Sequence, residues 1–488
     1  MKASPSTTRR VLVVAYNFPP VGGVGIQRTL KYVTYLPDSG WEPVVLTSRD
    51  PGVRPLDESA LLALPSDLAV ERAFSPEPSK LRRRLGDAVR TVRSLTRGHL
   101  TRPDESSRTS TAAVKPPADS ERRPALDGPI WARLGALWRS YMDLAMFPDD
   151  QVGWVPFAIR QGLALNAAQP FDAIYSSAAP MSSHLVAAAI ARQTGVPWIA
   201  DFRDPWIGNA FAKHLPFWQR ALQTRMERTM VRLARRVTVV TDGMRCEFEE
   251  RYPWAVDRFV TIPNGYDRGE FDAGILAMVA ARAGKRAGLA GAAAKPGHDS
   301  ARPFRLVYTG TIWGEHELEF FLDGLELLLA RRPDLRGRFE VDFIGWLNAH
   351  NQTVAESHSA PERLGSVVRY SSFVPRREAL FRAAQADAGF HLIADGPGKE
   401  VFLSGKLPEY AGLDLPIILF APEGSARAFL RELNWGVIAD PTPEGVADGM
   451  ERLLESPQPD RPADPEGRYE RAKLAARLAK LLDDVATR

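Results

Sequence analysis

Residues 11–30 constrain this chain more than any other stretch, because they carry a buried strand, a glycine-rich turn and a helix start in close succession. Val11-Leu12-Val13-Val14 is an unbroken apolar run, which suits a strand covered on both faces in a parallel sheet. Pro19-Pro20 forbids an immediate helix. Gly22, Gly23 and Gly25 then let the backbone turn tightly and approach a ligand, while the first N–H groups of the next helix point outward. An anion or phosphate site is the expectation; a loop that merely turns tightly is the alternative. A dinucleotide fingerprint fits poorly, since Gly23-Val24-Gly25-Ile26-Gln27-Arg28 places Arg28 where a third glycine should permit close helix–strand packing.

The alternation continues along the chain. A strand is expected over 41–47, and Asp50 lies too far past it to serve as the ribose acid of a dinucleotide enzyme. Further strands are expected over 171–177, 196–200, 237–240 and 258–265. The pattern restarts over 304–310, 339–345, 367–374, 388–394 and 416–421, with helices between and a last helix over 469–485. At 488 residues and 44% hydrophobic content, the chain is too long for one ordinary core. We expect an N-terminal α/β domain over 1–263, a second over 264–460 and a C-terminal helix over 461–488.

Two stretches break the pattern. From about 75 to 129 the composition shifts to Arg, Ser, Thr, Pro and Asp, which reads as a mobile, solvated insertion. Its basic half, residues 80–102, spaces Leu81, Leu85, Val89, Val92 and Leu95 roughly as a helix does, so an anionic membrane surface is a possible partner. Residues 273–302 read as a second insertion or a helix with a loose tail. The single cysteine, Cys246, excludes an internal disulfide and a cysteine-based zinc cluster. No metal, cofactor or nucleic-acid partner is expected. With no apolar signal core before the first strand and no run long enough to span a membrane, the expectation is a cytoplasmic protein, peripheral at most to the inner membrane face.

The strand over 196–200 delivers Asp201, Arg203 and Asp204 at its C-terminal end, where ligands collect in open parallel sheets. An internal Arg–Asp pair pinning this loop is the competing expectation. Ser182 or Ser183 is expected to cap the helix after the preceding strand, with His184 orienting the loop.

Four motifs together resemble the family-four glycosyltransferases. They are Phe18-Pro19-Pro20-x-Gly22-Gly23-Val24-Gly25, the run from Pro197 to Trp206, Ile262-Pro263-Asn264-Gly265-Tyr266-Asp267, and Ser404-Gly405-Lys406-Leu407-Pro408-Glu409-Tyr410. The resemblance implies the α/β GT-B fold, two facing Rossmann-like domains with parallel sheets and an interdomain cleft. It implies a retaining, metal-independent transfer of a sugar from a nucleotide-sugar donor to a glycan or lipid-linked acceptor, in cell-envelope or exopolysaccharide synthesis. A sugar-nucleotide epimerase of the same fold and a catalytically silent scaffold are the alternatives.

By the same resemblance the second domain holds the nucleotide. Glu409 accepts from the ribose hydroxyls, Gly310, Ser404, Gly405 and Lys406 face the diphosphate, and Leu407 helps to cover the nucleotide. Gly22, Gly23, Gly25 and Arg28 approach from the first domain. Arg203 acts as an electrostatic group, with Asp204 or Asp201 as a partner for a sugar or acceptor hydroxyl. Two departures stand out. Val401 occupies the position eight before Glu409 where the family often has a second glutamate, and no Arg or Lys follows Gly310. The diphosphate cations are therefore sought in Lys406, Arg28 and Arg203, with His316 behind them.

Overall fold

The computed structural model describes residues 8–49, 56–76, 146–209, 215–289, 302–312, 314, 316–455 and 462–487. The insertion expected from about 75, with its basic half, lies outside the described residues beyond Pro76. The first domain opens with β1 (Arg9–Val14), α1 (Val24–Tyr35), β2 (Trp41–Ser48), the short α2 (Ser59–Leu62) and β3 (Ala69–Ala73). It continues with α3 (Val155–Ala168), β4 (Ala173–Ala178), α4 (Ser182–Thr194), β5 (Trp198–Phe202), α5 (Phe217–Leu233), β6 (Arg236–Val239), α6 (Asp242–Arg251) and β7 (Phe259–Thr261). Helix α7 (Ala273–Leu289) occupies most of the expected second insertion.

The second domain holds β8 (Phe304–Thr309), α8 (Glu317–Arg331), β9 (Phe339–Ile344), α9 (Ala349–Ser357), β10 (Val368–Ser371), α10 (Arg376–Gln385) and β11 (Ala388–Leu392). After these come α11 (Lys406–Gly412), β12 (Ile417–Phe420), α12 (Ser425–Leu433), β13 (Gly436–Ala439), α13 (Pro443–Glu455) and α14 (Arg471–Ala486). Two sheets result, with orders β3-β2-β1-β4-β5-β6-β7 and β10-β9-β8-β11-β12-β13, and every pairing within them is parallel.

Both sheets are covered on both faces, which is why their central strands read as continuous apolar runs. In β1, Leu12 and Val14 face one core with Trp154 and Trp198, while Val11 and Val13 face another. That second core is completed from the far end of the chain. Leu474, Ala475, Leu478, Leu482 and Val485 of α14 pack against Val11, Val13, Tyr32 and Val33, and Trp41 Nε1 donates to Asp483 at 2.9 Å. The helix that closes the chain therefore belongs to the first domain.

The polypeptide crosses between domains twice, and the crossings run side by side. Tyr266 N donates to Tyr469 O at 3.0 Å and Arg471 N to Tyr266 O at 2.8 Å, a short parallel bridge. The domains also meet where β6 ends: Thr241 Oγ1 donates to Val401 O at 2.9 Å, and the Val401 side chain joins the first domain's core. The C-terminal edge of one sheet thus touches the loop leaving the C-terminal edge of the other.

Candidate active site

On the first-domain side the glycine loop and the loop after β5 come together. Gly23, at φ +93°, caps α1 in a conformation that L side chains resist. A Cβ on Gly25 would lie 3.5 Å from Arg203 Nη1. Arg203 is anchored by carbonyls, its Nε donating to Ala178 O at 3.0 Å and its Nη2 to Ala179 O at 2.7 Å. Its third nitrogen is the one turned toward the glycine loop. Asp204 follows it, and burial pushes that carboxyl above its ordinary value while Arg203 works against the rise.

Two residues assigned to this site by sequence do a different job. Arg28 and Asp201 form a bidentate pair, Nε to Oδ2 at 2.9 Å and Nη2 to Oδ1 at 2.8 Å, with side chains 1% and 0% exposed. Arg28 Nη1 is spent on Pro263 O at 2.9 Å. Asp201 also accepts from Tyr175 Oη at 2.7 Å, Thr238 Oγ1 at 2.7 Å and Ser177 Oγ at 3.1 Å. Burial opposes the charge on Asp201, but Arg28 and these hydroxyls overcome it and hold the carboxyl below its ordinary value. Neither side chain has surface left for a sugar or a diphosphate. Arg28 is therefore not a diphosphate cation and Asp201 not a hydroxyl partner; together they bolt α1 to β5 and to the domain crossing.

His184 is likewise interior. It is 0% exposed, its Nδ1 lies 2.8 Å from Ser176 Oγ, and burial lowers its pKa to about 3, so the ring is neutral. The helix start beside it is capped by Asp149, which accepts from Ser182 N at 2.8 Å and Ser182 Oγ at 2.5 Å. Neither serine caps the helix with its own side chain.

On the second-domain side, Lys406 and Glu409 lie one turn apart on α11. Tyr410 braces that helix against β8, its Oη accepting from Thr309 N at 3.0 Å. This places Lys406 over the residue that follows. A Cβ on Gly310, at φ +102°, would lie 2.9 Å from Lys406 Cε and 3.4 Å from Nζ. The Lys406 ammonium sits 4.7 Å from the Tyr308 ring centroid and has no carboxylate partner among the described residues. Burial brings its pKa down to about 8, against the pull of Glu409. Ser404 Oγ accepts from Lys406 N at 3.3 Å, shaping the turn. Leu407 departs from expectation: it is 0% exposed in the domain core, so it has no surface with which to cover a nucleotide.

Glu409 is held by a residue that the motifs did not reveal. Arg376 Nη1 donates to Glu409 Oε1 at 2.8 Å, while its Nε and Nη2 reach Glu270 Oε2 at 2.9 and 2.7 Å. Glu270 in turn pairs with Lys31 of α1 at 3.0 Å, and Lys31 with Asp267 at 2.6 Å. A chain of charges therefore runs from the first domain through the crossing to Glu409. Burial works against the charge on Glu270, but Arg376 and Lys31 prevail and bring its pKa down to about 2. Glu409 Oε2 accepts no hydrogen bond among the described residues.

Beneath Lys406, His391 stacks on Tyr308 at 5.9 Å with both ring nitrogens buried and unpartnered among the described residues. Burial, then Lys406 and Lys399, hold its pKa well below the ordinary value. Lys399 is a second cation in this quarter, paired with Glu317 at the start of α8 at 2.7 Å. His316 is exposed and pairs loosely with Glu319 at 3.6 Å. Elsewhere in this domain Asp323, Glu326 and His358 bring potential metal ligands within 4.8 Å of one another, although Arg363 already neutralises Glu326 at 2.6 Å.

Two all-parallel α/β domains, touching across the C-terminal edges of their sheets and joined by a doubled crossing, define the GT-B fold of glycosyltransferases. The chain belongs to the glycosyl transferase 4-like family, whose model matches residues 22–265, and it is a glycosyltransferase. The fold is similar to that of a glycosyltransferase from Rickettsia africae, with a TM-score of 0.57, 10% identity and 98% of each chain covered. It is also similar to a UDP-forming α,α-trehalose-phosphate synthase from Burkholderia vietnamiensis, with a TM-score of 0.54, 14% identity, and 98% of this chain and 100% of that one covered. A third similar structure is the N-terminal domain of a Candida albicans trehalose-6-phosphate phosphatase, with a TM-score of 0.56, 12% identity, and 100% of this chain and 98% of that one covered. No individually curated protein matches the sequence. Among the described residues no helix is long and apolar enough to cross a membrane.

Proposed function

We propose that the enzyme moves a sugar, with retention, from a nucleotide-sugar donor held by the second domain to a glycan or lipid-linked acceptor presented from the first, in cell-envelope or exopolysaccharide synthesis. The observation that carries this reading is the placement of Lys406 one helical turn from Glu409. A cation without a carboxylate partner lies over a glycine, and one turn away stands a carboxylate with one oxygen unclaimed among the described residues. A nucleoside diphosphate offers the matching groups, phosphate oxygens for Lys406 and a ribose diol for Glu409. As the sugar leaves, negative charge grows on the diphosphate, and a preorganised cation stabilises that state more than the ground state.

Arg203, anchored at the glycine loop, would meet the transferred sugar and its phosphate from the other side. Its neighbour Asp204, with a raised pKa, would serve an acceptor hydroxyl. The leaving phosphate would take the acceptor proton in a front-face attack, as in the family resembled, and no metal is required where cations and amides hold the diphosphate. Uridine diphosphate, named for the Burkholderia synthase of the same fold, is the first ligand to assay. Calorimetry should show binding that Glu409→Ala weakens at least about tenfold, the value of a lost charge-assisted hydrogen bond. A donor screen with mass analysis of the product then identifies sugar and acceptor. Absence of affinity for any uridine, guanosine or adenosine diphosphate sugar would overturn the reading.

A further inference from the structure

Helix α5 presents a face that the site above leaves unused. Gln219, Gln223, Glu227, Met230 and Val231 define its buried side. On the opposite side Phe217 is 78% exposed, Trp218 39% and Leu222 37%. Arg225, Arg228 and Arg232 are also exposed, and their spacing sets them in one outward stripe. No ion pair joins any of these three to a carboxylate among the described residues. The helix's own acid, Glu227, is fully buried and accepts from Arg251 at 2.9 Å and Tyr252 at 2.8 Å.

Two further details suit burial of this face in a headgroup layer. Thr224 and Thr229 fold their hydroxyls back onto Arg220 O and Arg225 O at 2.9 and 2.8 Å, so they need no water. At the far end Trp254, 44% exposed, lies under Arg232 at 5.8 Å. One exposed carboxylate, Asp257, shares the Trp254 turn.

We propose that this face docks the enzyme on an anionic lipid bilayer. The arginines meet lipid phosphates, and Phe217, Trp218 and Leu222 enter the interfacial layer. A helix with one cationic, aromatic-flanked outer face and a buried inner face has the chemistry of an interfacial helix. A soluble polyanion would satisfy the arginines, but it offers nothing to a phenylalanine left in water. The placement serves catalysis as well: Gln223 Nε2 donates to Trp206 O at 2.6 Å, tying the helix to the loop that carries Arg203 and Asp204. The docking itself does not rest on how the donor site is read.

The test is co-sedimentation of the full chain with vesicles of phosphatidylglycerol and phosphatidylcholine, against phosphatidylcholine alone. Binding should require the anionic lipid. The triple variant R225E/R228E/R232E should lower partitioning at least about 100-fold, since each basic residue near such a surface contributes several-fold. Trp218→Phe should remove part of the fluorescence quenching by lipids with brominated acyl chains. Uridine diphosphate affinity and circular dichroism, unchanged in these variants, certify the fold and keep failure here distinct from failure of the donor reading. Undiminished vesicle binding by the triple variant would overturn the proposal, as would no binding by the wild type. Equal binding to polyphosphate or RNA without acyl-chain quenching would overturn it too.

Discussion

Lys406 offers the sharpest quantitative test of the donor site, because burial brings its pKa from 10.5 down to about 8. A diphosphate bound against the ammonium favours the charged form, so the bound complex keeps its proton at pH values where the free enzyme has lost it. The sign follows. Affinity is full below pH 7 and declines as pH rises through 8. With a free-enzyme pKa of about 8, roughly nine-tenths of the lysine is charged at pH 7 and about one-tenth at pH 9, so affinity should fall ~10-fold. An unperturbed lysine would change affinity by only a few per cent over the same span. Calorimetry with uridine diphosphate at fixed ionic strength reads this directly. At pH 8.5 binding should also take up about three-quarters of a proton, visible as an enthalpy that depends on the buffer's ionisation heat. Lys406→Met should bind weakly and lose this share of the pH dependence. A wild-type profile flat between pH 7 and 9, or one that Lys406→Met reproduces, would refute the placement of the diphosphate.

Arg28→Met strands the buried Asp201 carboxylate and should cost ~3–5 kcal/mol in urea unfolding; a loss below about 1 kcal/mol would mean the pair is not the bolt described. Gly310→Ala puts a Cβ 2.9 Å from the Lys406 side chain in a strained backbone, so it should weaken diphosphate binding while leaving far-ultraviolet circular dichroism unchanged. Replacing Gly23 by tryptophan should damage turnover more than nucleotide affinity if, as proposed, its loop meets the transferred sugar and not the base. His184, neutral when folded with a pKa of about 3, takes up a proton on unfolding below pH 6.5. Stability should therefore fall as pH drops from 6 to 4, with ~1.4 kcal/mol per pH unit from this residue that His184→Gln removes.

Most strands that the residue pattern revealed are buried on both faces, such as Val11-Leu12-Val13-Val14 and Ile417-Ile418-Leu419-Phe420, although the partly exposed edge strands β7 and β10 were legible too. The two it missed lie at sheet edges. Ala69-Val70-Glu71-Arg72-Ala73 is mostly half-exposed and carries two charges, and Gly436–Ala439 is four residues long and opens on a glycine. At the candidate site, Lys406 and Glu409 stand out in sequence because they share one short motif, whereas Gly310 follows a separate strand and meets Lys406 only in the fold. The pairing of Arg28 with Asp201 was not legible, since a charged residue at a strand's C-terminal edge looks the same whether it faces a cleft or a partner 173 residues away. Arg376 carried no local signal at all, for its role is defined by Glu409, 33 positions along the chain. The apolar period of the last helix was plain, but the domain it would cover depends on a crossing that no short window records.

That returning helix bears on how the protein can be divided. The family-matched stretch, residues 22–265, coincides with most of the first domain but omits α14, and it also begins after β1. A fragment cut at residue 265 would leave Val11, Val13, Tyr32 and Val33 without the leucines that cover them, so it should be insoluble unless the last helix is supplied, in trans or by circular permutation. The paired crossing has a mechanical corollary as well. Two chain segments hydrogen-bonded at Tyr266, Tyr469 and Arg471 resist the swivelling that a single tether allows. The crossing also sets α14 against β1 and α1, so the first domain's second core closes only when the last residues of the chain have joined it.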